Sequence, residues 1–287
     1  MDILNEIREM RNERTGRGTT PRAPCALRPC IVSAAFVLAA GVACRPLSPE
    51  IQRGLPEAER TTAQAGQPGR LPTGARLDPA GVATDVGSMP LAMILSPDGA
   101  HAVLLLNGWR EQGVQIVERR SGTVVQTLQQ PAAFLGLAFS PDGRTLYASG
   151  GNQDVVYRYA WTGGRATLTD SLVLARKAPR ANGTSYPAGL ASSPDGRSLY
   201  VAENLADSLA VIDLRTGAVV QRFATERYPY GVAVAPDGAV YVSAWGGSTV
   251  SVFRPARSPG RLMDAGRIVV GRHPSALLLN QLSLIHI

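Results

Sequence analysis

Four copies of one motif, each built round a Pro-Asp-Gly turn, constrain this 287-residue chain more than any other feature. They read MPLAMILSPDGAHAVLLLN from Met89, AFLGLAFSPDGRTLYASGG from Ala133, YPAGLASSPDGRSLYVAEN from Tyr186 and YPYGVAVAPDGAVYVSAWG from Tyr228. Their turn aspartates, Asp98, Asp142, Asp195 and Asp237, are spaced by 44, 53 and 42 residues. Eight residues before each aspartate stands Pro90, Phe134, Pro187 or Pro229, and six before it a small residue, Ala92, Gly136, Gly189 or Gly231.

Apolar residues alternate or run on both sides of each turn, the pattern of two strands joined as a hairpin. Proline presets the first turn dihedral, aspartate bonds back to the backbone, and glycine takes the positive φ that other residues resist. The four aspartates are therefore assigned to turns rather than to a metal. Two more strands follow each hairpin, for example Val114 to Glu118 with Val124 to Leu128, and Ser208 to Ile212 with Ala218 to Phe223. Four short antiparallel strands repeating at this period make an all-β fold of β-propeller blades, which bury their faces only against neighbouring blades. Residues 71–280 are thus expected to hold four blades and the start of a fifth. The 53-residue spacing adds an insertion, Ala175 to Ser185, with Arg176, Lys177 and Arg180, expected to contact a further domain or an anionic ligand.

The run Ser-Pro-Asp-Gly-Arg-x-Leu-Tyr-Val-Ala resembles the YVTN-repeat β-propellers, which include YncE-type propellers and surface-layer proteins, over about residues 85–280. Lactonase propellers share much of this repeat. More narrowly, Leu106 to Gly113 (LNGWREQG) and Tyr147 to Asp154 (YASGGNQD) are similar to bacterial two-domain proteins in which a YncE-type propeller precedes an alkaline phosphatase-like phosphoesterase domain. That resemblance implies a ring of seven blades and a C-terminal phosphoesterase domain as partner, which nothing after residue 270 supplies. The fifth unit opens at Gly271-Arg272-His273-Pro274, and its turn aspartate falls due at position 282, where Leu282 stands. The hexapeptide LSLIHI back-translates as CTG TCT CTT ATA CAC ATC, one frame of the transposon end in sequencing adapters, so residues 281–287 are expected to be an artefact.

All three cysteines, Cys25, Cys30 and Cys44, precede the repeats. Ile31 to Ala43 is a run of thirteen mostly apolar residues behind Arg11, Arg14, Arg17, Arg22 and Arg28, too short to span a bilayer but suited to a secretory signal initiated at Met10. Residues 1–44 are accordingly expected to be a signal peptide and 45–70 a flexible linker. Gly41-Val42-Ala43-Cys44 resembles a lipobox with Gly41 in place of the usual Leu. Lipidation of Cys44 and ordinary cleavage nearby are the two readings, and both place the protein in the periplasm or at the cell surface.

The net charge of +7 is carried by arginine, Lys177 being the one lysine, and residues 77–287 hold 18 basic against 15 acidic groups. No basic run marks a nucleic-acid face. Loops between the second and third strands of each blade share a rim with the strand entrances, opposite the Pro-Asp-Gly turns. Ligand candidates there are Trp109, Arg110 and Glu111; Asn152 and Asp154; Glu203, Asn204 and Asp207; and Trp245, with Tyr186, Tyr228 and Tyr230 at the entrances. No H-E-x-x-H, G-x-S-x-G, Walker loop or C-x-x-C-H occurs, and His101 and His273 are the histidines of the repeat region. No cofactor is expected. The leading expectation is an exported, non-catalytic binding or scaffold module of a larger envelope protein. The alternatives are a lactonase-type enzyme opening a sugar lactone with rim Glu, Asp, Arg and His, and a surface adhesion propeller.

Overall fold

The computed structural model describes residues 69–70, 73–74, 76–77, 83–175 and 184–279. The signal segment with Cys44, most of the linker, Arg176, Lys177 and Arg180 of the insertion, and residues 280–287 lie outside them. A two-residue ladder joins β1 (Gly69–Arg70) to β2 (Arg76–Leu77). Four antiparallel sheets of four strands follow in strict chain order. Blade 1 comprises β3 (Pro90–Leu95), β4 (His101–Asn107), β5 (Gln112–Glu118) and β6 (Val124–Gln129). Blade 2 comprises β7 (Leu137–Phe139), β8 (Thr145–Ser149), β9 (Val155–Thr162) and β10 (Arg165–Val173), with a single 3-10 turn at Gly151–Gln153. Blade 3 runs β11 (Pro187–Ser192), β12 (Ser198–Glu203), β13 (Ser208–Asp213) and β14 (Ala218–Ala224). Blade 4 runs β15 (Pro229–Val234), β16 (Val240–Ala244), β17 (Thr249–Pro255) and β18 (Leu262–Val269). The all-β propeller architecture read from the repeat is the architecture observed.

Each Pro-Asp-Gly turn is closed by its own side chains. In blade 2, Ser140 Oγ donates to Asp142 Oδ1, which also accepts the Arg144 N–H at 3.1 Å, while Gly143 takes φ 70°. Ser96 with Asp98 and Ser193 with Asp195 repeat the arrangement, and in blade 4, where Ala235 offers no hydroxyl, Asp237 accepts the Ala239 N–H and pairs with Arg254 at 3.6 Å. The serine hydroxyl first, and then the backbone N–H, holds the carboxyls of Asp98 and Asp142 below their ordinary value near 3.8. The Ser193 hydroxyl likewise leads in lowering Asp195. A folded-state pKa below the unfolded one stabilises the protein in full above the unfolded value, and that stability is lost as pH falls through the folded value. Urea unfolding between about pH 5 and 2 should show stability declining below about pH 4, with a shallower decline in the triple variant Ser96→Ala, Ser140→Ala, Ser193→Ala.

Between blades the core is aliphatic and aromatic. Val103, Leu105, Ile116, Leu146, Tyr159 and Trp161 fill the junction of blades 1 and 2. Val156, Leu172, Leu199 and Ile212 fill that of blades 2 and 3, and Tyr200, Leu209, Val242 and Phe253 that of blades 3 and 4. In three of the four units the small residue six before the turn aspartate is a glycine with a packing cause. A Cβ on Gly136 would fall 2.0 Å from Ala188 O, one on Gly189 2.4 Å from Tyr230 O, and one on Gly231 2.7 Å from Ser275 O. Inner strands of successive blades approach backbone to backbone there, which leaves no room for a side chain. Residues 271–279 form no strand, yet Ser275 stands to Gly231 as Tyr230 stands to Gly189, and its carbonyl accepts Ser243 Oγ at 3.1 Å.

Candidate functional site

The rim opposite the Pro-Asp-Gly turns is built by a repeated strained residue. Met89, Tyr186, Tyr228 and His273, each immediately before the proline of a unit, take φ of 54°, 53°, 54° and 59°. That left-handed region is disfavoured for non-glycine residues and unusual before proline, so neighbouring groups must hold it. The Tyr186 N–H donates to Asp154 Oδ1 and the Tyr228 N–H to Asp207 Oδ1, both at 2.8 Å, and the His273 N–H donates to Gly247 O at 3.0 Å. On the other side, the carbonyls of Met89, Tyr186 and Tyr228 accept the N–H groups of Asn107, Asn204 and Trp245 at 3.0, 3.1 and 2.9 Å. Tyr186 and Tyr228 are thereby clamped between the preceding blade and their own, Met89 is held through its carbonyl and His273 through its N–H.

This geometry separates the sequence candidates. Asp154 is fully buried and accepts four donors: Thr184 N–H and Oγ1, Ser185 N–H and Tyr186 N–H. Glu203 is also 0% exposed, held by Ser208 Oγ at 2.7 Å and by Arg222 Nε at 2.9 Å, whose Nη2 also donates to Leu174 O. Asp207 serves Tyr228 as described. Asp154 and Asp207 thus fasten one blade to the entrance of the next, and Glu203 holds Arg222, which reaches Leu174 O at the end of blade 2. In blade 1, Trp109 is 99% exposed and Arg110 and Glu111 are exposed beside it. Asn152 is exposed in the 3-10 turn and accepts Gln153 Nε2.

Asn204 and Trp245 do come together. With Phe134, Tyr228 and Tyr230 they line a cavity of about 360 Å³. Phe134 meets Tyr186 edge-on at 5.1 Å between centroids and Tyr230 at 5.9 Å. Asn204 Nδ2 donates to Pro229 O at 3.1 Å, and the Arg227 guanidinium lies 5.9 Å from the Tyr228 ring centre. The His273 ring lies tilted at 43° to that of Trp245 with centroids 5.4 Å apart, and its Nδ1 lies 2.7 Å from Trp245 O. A carbonyl oxygen has no proton to give, so Nδ1 carries a hydrogen, and in the neutral tautomer this sets it is Nε2 that holds the lone pair. The cavity is lined by aromatic rings and one carboxamide, and Arg227 and His273 lie against two of its lining residues, Tyr228 and Trp245; such a set suits a polar ring compound and proton transfer to or from it. Sequence reasoning placed His273 only at a strand entrance; its position before Pro274, matching Tyr228 before Pro229, is the signal that puts it on this rim. Among the described residues no three His, Cys, Asp or Glu side chains converge as metal ligands.

Solved structures of similar fold include a candidate 6-phosphogluconolactonase of Bacteroides uniformis, at 18% identity and a TM-score of 0.57 over 72% of this chain and 65% of that one. A protein of unknown function from Desulfotomaculum acetoxidans matches at 20% identity and a TM-score of 0.55, over 69% and 63% of the two chains. The periplasmic gluconolactonase of Pseudomonas aeruginosa matches at 21% identity and a TM-score of 0.54, over 72% and 63%. The chain spans less than two thirds of the length of each. Among curated proteins the sequence has no match. Residues 136–279, half of the chain, match the family described as lactonase, 7-bladed β-propeller. A match to an enzyme family overturns the expectation of a non-catalytic scaffold, and a site drawn from several blades does not need a linear catalytic motif. The chain belongs to the lactonase family of seven-bladed β-propellers.

Proposed function

We propose that this protein is a lactonase-type propeller hydrolase that opens the lactone of a sugar acid at the Tyr228, Tyr230, Trp245 rim. The observation that carries the reading is the coincidence of two features: the lactonase match covers residues 136–279, and Asn204, Tyr228, Tyr230, Trp245 and His273 all fall within it. The lactonases named among the structural neighbours supply the substrate class. In this reading the aromatic side chains pack against the C–H face of the sugar ring, and Asn204 hydrogen-bonds its hydroxyls. His273 Nε2 takes a proton from water as the water oxygen attacks the acyl carbon. The ring C–O bond then breaks, and the imidazolium returns the proton to the departing alkoxide, so lactone and water give one hydroxy acid. Arg227 offers positive charge to the oxyanion and then to the carboxylate. The repeat shared by YncE-type and lactonase propellers fits this reading, and the export-type N-terminal segment supports a site of action outside the cytoplasm.

The cavity itself is tested by Trp245→Ala. Steady-state hydrolysis of gluconolactone and 6-phosphogluconolactone should show KM raised by about 10-fold with a smaller change in kcat, the loss expected when an aromatic contact of about 1.5 kcal/mol is removed. Equal kinetics in both proteins would move the substrate elsewhere on the molecule.

A further inference from the structure

The opposite rim carries a second concavity, of about 710 Å³, at the junction of blades 3 and 4. Three guanidinium groups line it: Arg197 after the β11–β12 turn, Arg215 in the β13–β14 turn and Arg261 in the β17–β18 turn. Asp213 is the carboxylate beside them, and its Oδ1 already accepts the N–H groups of Arg215 and Thr216 at 2.8 and 3.0 Å. The Arg197–Asp195 pair is 4.0 Å apart with both side chains solvent-exposed, a separation worth little. Arg261 is fixed in place, because its Nη1 donates to Val220 O at 2.7 Å. Gln221 exchanges two hydrogen bonds with the Leu262 backbone, at 3.1 and 2.9 Å, stitching the blade 4 turn to the outer strand of blade 3.

The repeat supplies an internal comparison. Blades 1 and 2 carry the same stitch, in which Gln126 exchanges two 2.9 Å bonds with Ala166 and Arg165 Nη1 donates to Val125 O at 3.3 Å. In that junction His101, three residues after Asp98, fills the space. Its ring meets Trp161 edge-on at 6.1 Å and lies so near Gly164 that a Cβ there would fall 2.3 Å from it. Three residues after Asp195 stands Ser198, and a Cβ on Gly260, the counterpart of Gly164, would lie 3.8 Å from its hydroxyl. The residue just before is Ala100 in blade 1 and Arg197 in blade 3. One junction is plugged by an imidazole; its counterpart is open and has gained a guanidinium.

We propose that the junction of blades 3 and 4 is a binding site for a small multivalent oxyanion, a phosphate ester or polycarboxylate, held by Arg197, Arg215 and Arg261. Planar guanidinium forks match the paired oxygens of such groups, and three of them from two blades converge on one groove. The site is separate from the lactone rim and does not depend on the reading given to it.

Titration calorimetry of the purified protein with pyrophosphate and with citrate tests this at low salt. Saturable binding is expected, weakened by about 10-fold for each guanidinium removed in Arg197→Gln and Arg215→Gln and unchanged in Arg165→Gln at the plugged junction. Ser198→His should abolish binding without removing a cation, by rebuilding the plug. The tighter of the two anions assigns the class. Absence of binding at millimolar concentration of both, or equal affinity in the double arginine variant, would overturn the site. Because Arg197 and Arg215 are surface residues, their variants keep the test decisive if Ser198→His fails to fold.

Discussion

Replacing His273 with Asn is expected to lower kcat for lactone hydrolysis by about 100-fold or more, the low end of what a positioned general base contributes, with KM nearly unchanged. Asn is the informative substitution. It tolerates the left-handed backbone that His273 adopts at φ 59° and keeps the N–H that donates to Gly247 O. It cannot reproduce an imidazole whose Nδ1–H is fixed on Trp245 O and whose Nε2 is left to accept a proton. A thermal midpoint equal to that of the parent, measured beside the kinetics, separates loss of the base from loss of the fold.

Asp154→Ala carries the largest expected stability effect, about 3 kcal/mol, and Asp154→Asn should cost nearly as much. The alanine leaves the buried Ser185 N–H and the less buried N–H groups of Thr184 and Tyr186 without their acceptor, and a buried donor left unmade costs about 1–3 kcal/mol. The asparagine turns one of the two acceptor oxygens into a donor facing other donors. Denaturant unfolding measures both. The deficit should far exceed that of Asn152→Ala, two residues away on the exposed side of the same turn.

The two residues mark the limit of what the sequence could yield. Turn, blade and small-residue column were all legible, because each is a local rule repeated at a fixed offset from Asp98, Asp142, Asp195 and Asp237. What holds Asp154 and Glu203 was not. The donors of Asp154 lie 30 to 32 residues downstream and Arg222 lies 19 beyond Glu203, so two buried fasteners read like polar loop residues open to ligand. His273 was hidden for the opposite reason. Its chemistry comes from Trp245, 28 residues earlier, and a rim assembled from one or two residues per blade leaves no linear signature. The same spacing logic that located the blades nevertheless sets His273 beside Tyr228 and Tyr186 on one rim.

Lactone hydrolysis is tested most directly by oxygen-18 water. Gluconolactone is opened by the purified protein, with acid release followed against the uncatalysed rate and the product examined by mass spectrometry. Release well above background, with one labelled oxygen in the carboxylate and the rate lost in His273→Asn, is the expected result. A rate equal to background across gluconolactone and 6-phosphogluconolactone, or full activity in His273→Asn, would contradict it.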